Sequence, residues 1–154
     1  MSDTPAPSVA ALALAGLMLL AGCGQEKHSL APVCVESGAP ILKALQSAPG
    51  AVRLRGGVRI SECVDDARND AELQTLGLLY GEVARKLAER APADDPAATQ
   101  LGYLIGAVRR GAAHSNGIHA ELVRRLEQAP GIGGPSPGRR RAFTRGLSAG
   151  ERGG

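Results

Sequence analysis

An apolar stripe with helical spacing runs through the middle of this chain. From residue 73 onward, large apolar side chains recur at intervals of three and four, at Leu73, Leu76, Tyr80, Val83 and Leu87. This spacing places them on one face of an α-helix, which must be buried against another element. Asn69 and Glu72 stand three residues apart just before the stripe, which is the spacing of a capping box, so we expect a helix to begin there.

A second apolar stripe follows between a helix-start signal and a helix-stop signal. Asp95-Pro96 is typical of a helix start, with Asp as N-cap and Pro as the first helical residue, and Ala129-Pro130 is typical of a stop. Asn116-Gly117 interrupts the stretch, which is either one helix with a weak point or two helices. The apolar positions are Leu101, Ile105, Val108, Ala112, Leu122 and Leu126.

The two stripes together predict a mainly α fold, a small helical hairpin or bundle over residues 34–129. Aromatic residues are only 2% of the 154-residue chain and Trp is absent. The core must therefore be built from Leu, Val, Ile and Ala. This composition argues against a ligand cleft lined by aromatic rings.

The segment before the first stripe contains two cysteines, Cys34 and Cys63, that we expect to form a disulfide. The alternative is two buried free thiols. A short helix is predicted over residues 40–48. Residues 52–60 alternate apolar and Arg side chains around Gly56-Gly57, which predicts a short β-hairpin or, failing that, an irregular loop.

The N-terminus carries an uncharged apolar run from Val9 to Gly22, fourteen residues long. A spanning helix needs about 20 such residues, so the run is too short to cross a bilayer and has the length of the apolar region of a signal peptide. Residues 1–8 contain no Lys or Arg. Either the amino terminus alone supplies the usual positive charge, or the start lies upstream.

The run ends in Leu20-Ala21-Gly22-Cys23, which resembles the lipobox of bacterial membrane lipoproteins. The resemblance implies that residues 1–22 are a lipoprotein signal peptide and that Cys23 carries diacylglycerol and further acyl chains such as palmitate. Residues 23–33 would then be a tether. The protein would be lipid-anchored on the extracytoplasmic face of the cell membrane, because two or three acyl chains hold firmly where one does not.

Residues 130–154 differ in composition from the rest of the chain. Eight Gly and three Pro among 25 residues leave little to bury, so the sequence predicts a disordered tail. Its five Arg and one Glu give it a formal charge of +4, against +3 for the whole chain. Contact with anionic lipid headgroups is expected from Arg139, Arg140, Arg141 and Arg145, the alternative being a solvated tail without a function. Nucleic acid is not an expected partner.

Glycines repeat at a four-residue spacing in both predicted helices, at Gly77 and Gly81 and at Gly102 and Gly106. Each Gly costs about 1 kcal/mol in a helix interior relative to Ala. Close contact between the two antiparallel helices would offset that cost, because a Gly removes the side chain from the crossing. The alternative is that such echoes simply follow from a Gly- and Ala-rich composition.

No catalytic motif or metal-ligand set is evident in the chain, and no cofactor is expected. His114 and His119 are five residues apart rather than four, and His119 is expected to be a buried, hydrogen-bonded histidine. We therefore expect a non-enzymatic structural or partner-binding envelope protein with an unknown protein partner. The alternative is a small-ligand carrier with a pocket near Ser115, Asn116 and His119.

Overall fold

The computed structural model describes residues 30–115, 117–128 and 136–154. These residues form six α-helices and two short 3-10 turns, at Pro32–Cys34 and Arg55–Gly57, and no strand. The fold is mainly α, as the apolar stripes predict. The helices are α1 (Gly38–Leu45), α2 (Ile60–Asp65), α3 (Asp70–Arg90), α4 (Asp95–Ala112), α5 (Ile118–Glu127) and α6 (Pro137–Gly153).

Helix α4 lies at the centre of the bundle. It contacts each of the other five helices. Every residue from 97 to 108 is buried, so the helix is enclosed on all sides and not on one face only. Leu, Val, Ile and Ala dominate the core, together with the rings of Tyr80 and Tyr103.

The ends of α3 and α4 follow the local signals in the sequence. Asn69 caps α3, since its Oδ1 accepts the backbone N–H of Glu72 at 3.0 Å. The carboxylate of Glu72 accepts the N–H of Arg68 at 2.8 Å, one residue before the N-cap. Helix α4 begins at Asp95, so the N-cap is Asp94 and not Asp95 as predicted. The second stripe is divided between two helices, and Gly117 precedes α5 with φ +75°.

The N-terminal segment is tied to the bundle by a disulfide between Cys34 and Cys63, whose Cα atoms are 5.5 Å apart. Both residues are buried. The bond joins the first 3-10 turn to α2, so the disulfide-tied segment expected from the sequence is confirmed. The predicted signal peptide, the lipid site Cys23 and the tether as far as residue 29 lie outside the described residues.

The β-hairpin predicted over residues 52–60 is wrong, and the alternative of an irregular loop is correct. Gly56 and Gly57 do turn the chain, with φ of +75° and +81°. The Leu54 N–H donates to the Val58 carbonyl at 2.8 Å. The chain then enters α2 directly at Ile60, so no residues are left for a returning strand.

The disorder predicted for the C-terminal tail is wrong over residues 136–154. Helix α6 begins after Ser136, whose Oγ accepts the N–H of Arg139 at 3.3 Å, and Pro137 lies in its first turn. Ala142, Gly146 and Gly150 are buried against the bundle. This part of the tail is ordered although it is rich in Gly, because these small residues are spaced four apart and allow close packing of a helix.

Candidate functional site

The crossing of α4 and α6 is a backbone-to-backbone contact made by glycines. A Cβ added to Gly102 would lie 2.1 Å from the carbonyl oxygen of Phe143, and one added to Gly106 would lie 2.1 Å from that of Leu147. No side chain can occupy either position. The hydrogens that glycine carries there point at carbonyl oxygens, which is the geometry of weak Cα–H···O contacts at close helix crossings.

The contact is reciprocal from the side of α6. A Cβ on Gly146 would meet the carbonyl oxygen of Thr99 at 1.9 Å, and one on Gly150 would meet that of Tyr103 at 2.2 Å. Two pairs of glycines at four-residue spacing therefore interlock, as in helix pairs joined by small residues. This crossing fixes the position and the rotation of α6 on the domain.

The close helix crossing expected from the repeated glycine spacing is present, but the predicted partner helix is wrong. Gly102 and Gly106 meet α6 instead of α3. A Cβ on Gly77 would be 3.6 Å from Leu122, an ordinary contact, and one on Gly81 would have no atom within 4 Å. The α3 glycines are thus not required for close packing.

The outer side of α6 carries four exposed arginines, which we call the basic face: Arg140, Arg141, Arg145 and Arg152. Arg141, Arg145 and Arg152 follow one another at spacings of four and seven, so they share one side of the helix. None of the four forms an ion pair with an acidic side chain in the part of the chain that the structure describes. The face therefore presents uncompensated positive charge to solvent.

Arg139 does not belong to this face, although it was predicted to contact lipid together with Arg140, Arg141 and Arg145. Its guanidinium pairs with the Asp95 carboxylate and donates to the Pro92 carbonyl at 3.1 Å. It joins the start of α6 to the start of α4. Arg152, which was not in the predicted group, faces outward.

A polar cleft of about 630 Å³ opens beside the C-terminal half of α6, between α2 and α4. Its charged groups are mostly paired with one another or with near neighbours. Arg109 holds Glu127 at 2.7 Å and Glu151 at 3.1 Å. On α2, the backbone N–H of Arg59 donates to the Glu62 carboxylate at 2.7 Å and holds the pKa of that carboxyl below its ordinary value. These pairs connect helices to one another and cap α2.

A second cleft, of about 260 Å³, lies between α3 and α5 and is partly apolar. Leu73, Gly77 and Leu122 lie along it, and Ile118 at its edge is 46% exposed. We call this cleft the α3–α5 groove.

Ser115 and His119, which were predicted to line a ligand pocket, form hydrogen bonds with backbone carbonyl groups instead. His119 is half-buried, and its Nε2 lies 3.1 Å from the Val64 carbonyl oxygen, a hydrogen bond that joins α5 to α2. Ser115 Oγ donates to the Ala112 carbonyl at 3.0 Å. Asn116 lies outside the described residues. Neither Ser115 nor His119 lines either cleft, whereas His114 is exposed on the polar cleft.

Two buried tyrosines have polar atoms without a partner. The hydroxyl groups of Tyr80 and Tyr103 are fully buried and form no hydrogen bond within residues 30–115, 117–128 and 136–154. Burial raises the pKa of Tyr80, so its hydroxyl stays protonated. The same residues include no group of three or more His, Cys, Asp or Glu side chains that could hold a metal ion.

Comparisons with known proteins give no match, whether with protein-family models, with curated proteins or with solved structures. In the described part of the chain, no helix is both long enough and apolar enough to cross a membrane. The features of the chain that bear on its function are the basic face, the α3–α5 groove and the disulfide. The basic face was missed as a folded surface, although Ser136-Pro137 and the spacing of Gly146 and Gly150 were signals for its helix.

Proposed function

We propose that this chain is a non-enzymatic lipoprotein, held by lipid on Cys23 at the extracytoplasmic face of the cell membrane, whose helical domain binds another protein of the envelope. The observation that carries the proposal is the buried disulfide between Cys34 and Cys63, placed eleven residues after the lipobox-like motif. Disulfides persist in oxidising compartments outside the cytosol. Motif and disulfide therefore support the same location independently.

The α3–α5 groove supports the partner-binding part of the proposal. The buried core is built of close-packed apolar side chains, while Ile118 and the groove stay open to solvent. A partly apolar groove with a charged rim is suited to an amphipathic segment of another protein. Asp70, Glu121 and Arg125 supply that rim.

The lipid is tested by labelling cells with a palmitate analogue and purifying the protein. The natural chain should carry the label and fractionate with membranes, and Cys23→Ser should lose the label. The double variant Cys34→Ser/Cys63→Ser is the matched control, because it replaces two cysteines outside the motif and should stay labelled. Label on Cys23→Ser, or none on the natural chain, would contradict lipidation at this residue.

The groove is tested with a photoreactive residue at position 118 in intact cells. A discrete crosslinked product is expected there, and none from the same residue at exposed position 89, which lies on α3 outside the groove. The substitution Ile118→Glu should weaken co-purification of the crosslinked protein. Equal crosslinking from positions 118 and 89 would contradict a specific partner in the groove.

A further inference from the structure

We propose that the basic face of α6 lies against the anionic headgroups of the membrane, so that the domain is held at the surface in a fixed orientation. The inference rests on the proposed function, because the lipid on Cys23 is what brings the domain to a membrane. It goes further, since it names the surface that meets the bilayer and the chemistry that recognises it: guanidinium groups against lipid phosphates.

The charge distribution singles out this face. Several arginines elsewhere on the domain pair with carboxylates: Arg109 pairs with Glu127 and Glu151, and both Arg124 and Arg125 pair with Glu121. Those hydrogen bonds hold the pKa of Glu121 at about 2, so the group stays ionised and keeps its two arginines compensated. Arg53, Arg68, Arg90 and Arg110 are exposed and form no ion pair among the described residues, but each belongs to a different segment, whereas the basic face collects four such arginines on one helix. The arginines of the basic face have no such partner among the described residues. Anionic lipid is the complementary surface.

The basic face is presented by a helix fixed along its length. At its start, Arg139 joins α6 to Asp95. In the middle, the glycine crossing locks it against α4. At its end, Arg110 donates to the Arg152 carbonyl, and Ser61 Oγ donates to the Gly154 carbonyl oxygen. A preorganised face loses little conformational freedom on binding, unlike a disordered tail with the same charges.

The tether enters the domain near the end of this helix. The chain is fixed at Cys34 by its disulfide to Cys63, two residues from Ser61, and Ser61 bonds to Gly154. Seven peptide units separate Cys23 from Leu30, the first described residue, and can span at most about 25 Å. A helix of 17 residues has a similar length, about 25 Å. The lipid and the basic face can therefore reach one bilayer surface together.

The test uses the full chain with Cys23→Ser, so that no acyl chain contributes, and measures binding to vesicles of phosphatidylglycerol mixed with phosphatidylcholine and of phosphatidylcholine alone. Each arginine near an anionic surface changes binding about fivefold. We expect preference for the anionic vesicles, and a loss of about 25-fold in Arg141→Gln/Arg145→Gln. The preference should weaken as salt rises above about 0.15 M.

The matched control is Arg124→Gln/Arg125→Gln, which removes the same formal charge from α5, where both arginines are compensated by Glu121. It should bind nearly as well as the parent, and Arg141→Lys/Arg145→Lys should keep most of the binding because the charge is kept. Helical circular dichroism verifies that each variant folds.

Three outcomes would overturn the proposal: equal binding to both kinds of vesicle, equal losses in the two glutamine variants, or binding of soluble polyglutamate without vesicle preference, which would assign the face to an acidic protein. Palmitate labelling is a separate measurement. If the natural chain carries no palmitate label, the proposed lipid anchor is wrong. If the vesicle assay shows no preference for anionic lipid, only the proposed role of the basic face is wrong.

Discussion

Adding a methyl group at the α4–α6 crossing, by replacing one of its glycines with alanine, tests directly whether the two helices are in backbone contact. Alanine normally stabilises an exposed helix interior by about 1 kcal/mol relative to glycine. At Gly146 the added Cβ would lie 1.9 Å from the Thr99 carbonyl oxygen, whereas ordinary contact begins near 3.4 Å. The obstacle is backbone and cannot rotate away. The two helices would therefore have to separate by about 1.5 Å.

The expected cost follows from that displacement. Overpacking of a buried site costs about 1–3 kcal/mol, and an obstacle made of backbone puts this site at the upper end. The helix-propensity gain offsets about 1 kcal/mol of it. Gly146→Ala should thus lower the free energy of unfolding by about 2 kcal/mol or more.

Gly81→Ala is the matched control, since Gly81 lies in the interior of α3 and an added Cβ has no atom within 4 Å. It should stabilise the protein by up to about 1 kcal/mol. Guanidinium unfolding followed by helical circular dichroism measures both variants, and hydrogen exchange of the α6 amides reports local detachment of the helix. If Gly146→Ala matches or exceeds the parent protein in stability and α6 keeps its protection, the close crossing is refuted.

Three further predictions concern other parts of the core and its surface. Reduction of the bond between Cys34 and Cys63, which closes a loop with a sequence separation of 29, should cost about 3–4 kcal/mol in urea unfolding, and no change would contradict the chain-entropy argument. Tyr80→Phe removes a buried, unpartnered hydroxyl and should raise stability by about 1 kcal/mol, whereas a clear loss would show that the hydroxyl is paired. The lowered native pKa of Glu62 adds stability above the ordinary value of about 4.3, and this is lost as pH falls through the native value. Glu62→Gln should therefore be less stable than the parent at neutral pH, by under about 1 kcal/mol because the side chain is partly exposed. In unfolding measurements at falling pH, the difference in stability between the two proteins should shrink. A difference that does not change with pH would contradict this prediction.

The helices with apolar stripes were predictable because the spacing of their apolar side chains indicates which face is buried. Leu76 and Val83 recur at helical spacing, and both are fully buried. Asn69 caps α3 where the capping signal stands. Helix α6 has no comparable stripe. Its buried face consists of Ala142, Gly146 and Gly150, residues that resemble a flexible tail when composition alone is considered.

The pairing of the glycines could not be predicted for a related reason. The spacing in α4 indicates a close crossing but does not identify the partner. Gly77 and Gly81 have the same spacing in α3, yet it is Gly146 and Gly150 of α6 that meet the α4 backbone. Which pair is used depends on the packing of the whole bundle around α4, which local spacing does not encode.

The candidate site was predictable in its chemistry and not in its shape. The excess of arginine near the C-terminus is visible in the sequence, but the separation of Arg139 from Arg140, Arg141 and Arg145 depends on the pairing of Arg139 with Asp95 across two helices. The hydrogen bond from His119 to Val64 is likewise a tertiary contact between α5 and α2.

The intact mass of the protein purified from membranes of its own organism decides whether lipid on Cys23 anchors this helical domain. We expect a chain lacking residues 1–22, with acyl chains at its first residue and two hydrogens missing at the disulfide. An uncut, unmodified polypeptide recovered from the cytosolic fraction would contradict it.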